Sequence, residues 1–122
     1  MNQDNKFEKL EVWKQSHQLV LAIYKVTKTF PGEEKYALID QLRRSASSIP
    51  TNIVEGNERQ TKKEYLQFLY TAKGSVAETK YHLLLAKDLG YLPLNSYNEL
   101  TTLASNISKM ITALIRYLKS DI

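Results

Sequence analysis

From Leu100 to Leu118 the apolar residues Leu100, Leu103, Ile107, Met110, Ile111, Leu114 and Leu118 advance in steps of three and four. Only the 3.6-residue period of an α-helix gathers such positions on one face, and a face that apolar must be covered by another element. The same rhythm recurs three times upstream. Leu10, Trp13, Val20, Ile23 and Tyr24, with Leu19 and Val26 beside them, predict a helix from Leu10 to about Lys28, ended by Phe30-Pro31-Gly32. A second is expected to begin at Glu33 or Glu34, acidic residues suited to the positive end of the helix dipole, and to bury Leu38, Leu42, Ala46, Ile49 and Ile53. Thr61-Lys62-Lys63-Glu64 reads as a capping box, in which threonine and glutamate each satisfy an unpaired backbone amide. The third helix starts there and carries Tyr65, Phe68, Leu69, Ala72, Val76, Leu83, Ala86 and Leu89 to Gly90, a natural C-terminal cap. Pro93 and Asn95 mark the last turn, and Ser96-Tyr97-Asn98-Glu99 repeats the capping signature before the fourth helix.

Short connections between long helices place neighbours antiparallel, so the expected fold is all-α, an up-down-up-down four-helix bundle. Helices of ~20 residues would each be ~30 Å long. The 122 residues form one domain with its core between about Phe7 and Leu118, and 43% apolar content is enough to fill that core.

Several kinds of chemistry are disfavoured by composition. There are no cysteines, which removes disulfides, thiolate metal sites and cysteine nucleophiles together. Of the two histidines, only His82 has a carboxylate at helical spacing, Glu78, far short of the paired Glu-x-x-His motifs of a di-metal bundle. No serine lies in a Gly-x-Ser-x-Gly turn and no glycine-rich phosphate loop occurs. The expectation is a protein without catalytic activity, cofactor, metal or small-molecule substrate. The opening residues mix both charge signs around no apolar segment, and LVLAIY at 19 to 24 is far shorter than the ~20 residues that span a bilayer. A cytoplasmic protein without membrane contact is expected.

The segment QLRRSASSIPTNIVEGNER, residues 41–59, departs from its helical surroundings. Beside the apolar stripe of the second helix runs a small polar one, Gln41, Ser45, Ser48, Asn52 and Glu55, which predicts a second packing surface whose hydroxyl and amide groups find partners in a neighbour. Pro50 is expected to kink or split the helix near Ser48 and Ile49, and to leave the carbonyls of Ala46 and Ser47 to nearby hydroxyl donors. Gly74, flanked by Ala72, Ser75 and Ala77, gives the third helix a narrow waist at a cost of roughly 1 kcal/mol relative to alanine. Two faces on one helix that both need covering suit an oligomer better than an isolated bundle.

Lys and Arg number 17 against 13 Asp and Glu, a formal charge of +4. Between residues 41 and 63 lie Arg43, Arg44, Arg59, Lys62 and Lys63 against two glutamates, which concentrates +3 of that charge. These five are the candidate nucleic-acid-binding residues, with Tyr65 and Tyr70 as possible stacking platforms. The competing role for the cations is ion pairing or simple solvation, and for the tyrosines core or interface packing.

Phe30-Pro31, Gln41-Leu42-Arg43-Arg44, Ser48-Ile49-Pro50, Asn52-Ile53, Glu55-Gly56, Phe68-Leu69, Gly74-Ser75 and Leu89-Gly90-Tyr91 together resemble the 23S rRNA-intervening sequence family of four-helix bundle proteins. The likeness spans about Phe7 to Leu118. It departs from the family pattern at Ser45, Ser47, Thr51 and Val54, all positions that bear on helix packing. The resemblance implies an antiparallel bundle assembled into a ring-shaped homopentamer. Relatives include proteins encoded within ribosomal RNA genes and accessory proteins of diversity-generating retroelements, basic assemblies that work with RNA. The expected function is therefore that of a non-enzymatic, oligomeric nucleic-acid-associated protein that favours structured RNA through backbone charge rather than base readout. The alternative is a scaffold that binds protein through its small-residue or aromatic faces. The residues expected in oligomer or close helix packing are Gln41, Ser45, Ser48, Pro50, Asn52, Gly74 and Ser75.

Overall fold

The computed structural model describes residues 6–120, which contain four α-helices and no strand. They are α1 (Glu11–Thr27), α2 (Leu38–Asn57), α3 (Lys62–Asp88) and α4 (Leu94–Ser120), with 3-10 turns at Lys6–Lys9 and Gly32–Glu34. Each helix packs on two others: α1 and α3 both touch α2 and α4, while the diagonal pairs do not approach one another. Specific contacts fix the register of two pairs. Ser45 meets Thr79, Ser48 meets Ser75 and Gly56 meets Phe68, so partners fall along α3 as they rise along α2. Between α3 and α4 the same holds, with Lys87 over Tyr97 and Lys80 bonded to Ser105. Both pairs are antiparallel.

The apolar stripes form one core. Leu19 and Ile23 of α1, Leu42, Ile49 and Ile53 of α2, Leu69, Val76 and Leu83 of α3, and Ile107 and Ile111 of α4 are fully enclosed. On α1 the buried face is Val12, Ser16, Leu19, Ile23 and Thr27, shifted from the stripe expected around Trp13 and Tyr24. Two of its five positions are hydroxyl residues, which hid it from apolar periodicity. They tolerate burial because Ser16 donates to the Val12 carbonyl and Thr27 to the Ile23 carbonyl, each at 2.7 Å.

Helix ends depart from expectation at two places. α2 begins at Leu38, because Glu33 and Glu34 sit in the 3-10 turn and Ala37 adopts a non-helical backbone. α4 begins at Leu94 directly after Pro93, whose carbonyl accepts the Tyr97 amide at 2.9 Å, so Ser96 lies inside the helix and caps nothing. The capping box at Thr61 is half realised: Thr61 accepts the Glu64 amide at 3.1 Å, but the Glu64 carboxylate takes the Thr61 hydroxyl proton instead of a backbone amide. Gly90 (φ 82°) closes α3 in a Schellman motif, with the Gly90 amide on the Lys87 carbonyl and the Tyr91 amide on the Ala86 carbonyl.

Pro50 does not split α2, which runs unbroken from Leu38 to Asn57. Hydroxyl and amide donors from the next turn serve the carbonyls around it: Thr51 Oγ1 donates to the Ser47 carbonyl and Asn52 Nδ2 to the Ser48 carbonyl, both at 2.8 Å.

Candidate nucleic-acid interface

The small polar stripe of α2 does have a neighbour, and that neighbour is α3 of the same chain. Buried Thr79 shares its hydroxyl proton between the Ser75 carbonyl at 2.8 Å and Ser45 Oγ at 3.0 Å. Ser48 and Ser75 share a hydrogen bond of 2.9 Å, and Asn52 Nδ2 reaches Ser48 Oγ at 3.0 Å. Ser45, Ser48, Asn52 and Ser75 are thus accounted for within one subunit. Gln41 at the start of the stripe is exposed, and Pro50 is half-buried. The close backbone approach occurs at Gly56, where a Cβ would stand 2.8 Å from both Phe68 Cβ and Tyr65 Cδ1. At exposed Gly74 a Cβ would meet nothing within 4 Å.

The five candidate cations do not form one patch. Arg43 points back to the end of α1: its Nε donates to Thr27 Oγ1 at 2.9 Å, its Nη2 to the Tyr24 carbonyl at 3.4 Å, and its guanidinium lies 4.5 Å from the Tyr24 ring centre. That geometry answers the carbonyls and negative dipole at a helix C-terminus. Arg44 beside it is exposed. Arg59 and Lys63 are also exposed, but sixteen residues of mostly helical rise, about 24 Å, separate Arg59 from Arg43. Arg59 lies over the Phe68 ring at 4.5 Å, and Lys62 is half-buried and engaged in a contact of its own. Tyr65 is occupied by the bundle, since its hydroxyl accepts from Asn57 Nδ2 at 3.3 Å and burial pushes its pKa up despite that bond. Tyr70 remains exposed.

Further positive charge lies along α3 and α4, Lys62 and Lys63 included. The helices α3 and α4 carry eight Lys and Arg against four carboxylates, a surplus of four, whereas α1 and α2 carry four against three. Along the whole of α4 the single acid is Glu99, near its start. Downstream of it, Ser105, Ser108, Lys109, Thr112 and Arg116 face Lys80 of α3 across a furrow of about 420 Å³. Lys80 Nζ donates to Ser105 Oγ at 3.0 Å, and none of the three cations is ion-paired among the described residues. Apolar periodicity overlooks these residues, because they sit on the flank of the buried stripe. The near absence of acid from α4 was the available signal.

Other features are structural. His17 stacks on Trp13, and His82 Nε2 lies 3.4 Å from Glu78 with its Nδ1 buried and unpartnered. No three His, Asp or Glu side chains converge in a metal-holding group among the described residues. None of the described helices is long and apolar enough to cross a membrane. An apolar cleft of about 500 Å³ opens between Ala22 and Val26 of α1 and Leu100 and Leu103 of α4.

The sequence profile described as 23S rRNA-intervening sequence protein matches residues 8–113. Among solved structures, the chain is similar to a protein of unknown function from the S23 ribosomal protein family of Bacteroides thetaiotaomicron VPI-5482. The two share 26% identity over 85% of this chain and 97% of the other, with a TM-score of 0.80. No functionally curated protein matches.

Proposed function

Because the chain belongs to the 23S rRNA-intervening sequence protein family, we propose that it is a non-enzymatic, oligomeric RNA-associated protein of the cytoplasm, gripping phosphate backbone by charge rather than reading base edges. The observation that carries this reading is the asymmetry of charge: α3 and α4 hold a cationic surplus as large as the formal charge of the whole chain. Backbone binding of this kind releases counterions and weakens steeply with salt. Titrating a labelled structured RNA in a mobility or anisotropy assay tests it. Binding at about 50 mM salt that fades by about 200 mM is expected. Absence of binding at the lower salt, or binding indifferent to salt, refutes it.

Self-association rests on a separate observation. α3 is only weakly amphipathic, because it is apolar or small on two sides. Its inner side fills the core, and its outer side presents Tyr70, Gly74, Ala77, Tyr81 and Leu84 to solvent. Those positions recur at the four-then-three spacing by which one helix meets another. A pentamer of the 14.1 kDa chain would have a mass of about 70 kDa by light scattering, five times the single chain. A mass near 14 kDa across the accessible concentration range refutes the assembly.

A further inference from the structure

We propose that the furrow between α3 and α4 is the phosphodiester-binding site itself, holding one nucleic-acid strand along the α4 axis. The inference deepens the RNA-binding reading above and rests on it. Three features distinguish this furrow from an ordinary solvated surface. Its charged residues, Lys80, Lys109 and Arg116, are all cationic, and no carboxylate shares the lining. Ser105, Ser108 and Thr112 alternate with those cations, supplying O–H donors at the level of each charge. Finally, the one polar contact across the furrow, Lys80 to Ser105, joins an ammonium to a neutral hydroxyl. Lys80 uses one of its three protons there, and the Ser105 hydroxyl, acting as acceptor, keeps its own proton to donate outward. A phosphate oxygen above this pair would accept from both groups, adding an ion-to-ion contact stronger than the ammonium–hydroxyl bond it joins.

Dimensions favour an extended strand over a small anion. Ser105, Ser108, Lys109, Thr112 and Arg116 follow one face of α4, and the distance from Ser105 to Arg116 is about 16 Å along the axis. Lys80 stands level with Ser105, so the cations are spread over that length instead of converging on a point. Tyr117, next in sequence to Arg116, is exposed, as bases turned away from the backbone require of a stacking surface.

The test is anisotropy of a fluorescein-labelled oligouridylate, kept too short to bridge two furrows, with the intact protein at several salt concentrations. Three phosphates neutralised in single-stranded RNA correspond to a slope of about −2 in log affinity against log salt, or about 20-fold weakening from 50 to 200 mM. The triple variant Lys80→Gln, Lys109→Gln, Arg116→Gln is expected to lose at least 10-fold in affinity at 50 mM and to flatten that slope by about 2. The control triple Arg59→Gln, Lys62→Gln, Lys63→Gln removes the same charge at the far end of α3 and is expected to stay within about threefold of the unaltered chain. Equal losses from the two triples, or retained binding by the furrow triple, would overturn the site while leaving RNA binding intact. Failure of the unaltered protein to bind the oligouridylate would overturn the site, and failure with structured RNA as well would sink the functional reading with it. Circular dichroism melts of both triples check that folding is preserved.

Discussion

A Cβ on Gly56 would press on Phe68 Cβ and the Tyr65 ring at 2.8 Å, and Phe68 Cβ is tied to the α3 backbone and cannot swing aside. Gly56→Ala should therefore force α2 and α3 apart, lowering stability by about 1–3 kcal/mol in a denaturant titration. Gly74 faces open space, so Gly74→Ala should stabilise the dilute, unassembled chain by about 0.5–1 kcal/mol through helix propensity. If the outer face of α3 mediates self-association, the same substitution weakens assembly in sedimentation, the opposite direction. By charge Arg43 is a candidate phosphate ligand, yet its guanidinium bonds and stacks on Thr27 and Tyr24 of α1. Arg43→Ala should cost about 1–2 kcal/mol of stability, from one charged hydrogen bond and one cation–π contact. It should leave RNA affinity within about twofold, the size of a remote single-charge effect.

At the scale of elements, α2 and α3 are joined by a short ladder of hydroxyls. Ser45 with Thr79 and Ser48 with Ser75 sit at small side chains, which lets the two helices approach while each buried oxygen finds a partner. Removing one member strands the other. A double-mutant cycle on Ser45→Ala and Thr79→Val should return a coupling of about 0.5–1.5 kcal/mol, and a value near zero would mean that the ladder contributes nothing beyond shape. Ser48→Leu introduces volume where Ser75 and Asn52 converge and should lower stability by about 1–3 kcal/mol. The sequence correctly demanded a partner for the lean stripe of α2. It could not say whose helix would provide one, because hydrogen-bonding capacity carries no information about chain identity. The polar buried face of α1 went unseen for a related reason: a hydroxyl bonded to its own helix is, for packing purposes, a small apolar residue.

Across the whole molecule, the loop between α1 and α2 is tied to the α3–α4 turn. Tyr91 donates its hydroxyl proton to Glu34 Oε2 at 2.9 Å and stands 5.7 Å from the Phe30 ring. That hydrogen bond, then burial and the nearby negative charges, raise the Tyr91 pKa, while burial raises that of Tyr65. Unfolded tyrosine ionises near pH 10, and these folded phenols keep their protons to higher pH. Their contribution to stability is complete below about pH 10 and is lost as pH climbs from there through the folded values. Thermal melts between pH 9 and 11 should fall with pH, and Tyr91→Phe should make that fall shallower.

Helix number, the core of α2, α3 and α4, the α3 caps and the family likeness were all legible in the chain, because periodicity and capping are local properties set by residues within one or two turns. Which flank of α4 would face Lys80, that Arg43 would turn inward, and that α3 would cover the hydroxyl stripe were decided only by packing. Those outcomes depend on how helices rotate about their axes against one another, a choice made jointly by residues as far apart as Ser45 and Thr79 or Lys80 and Ser105.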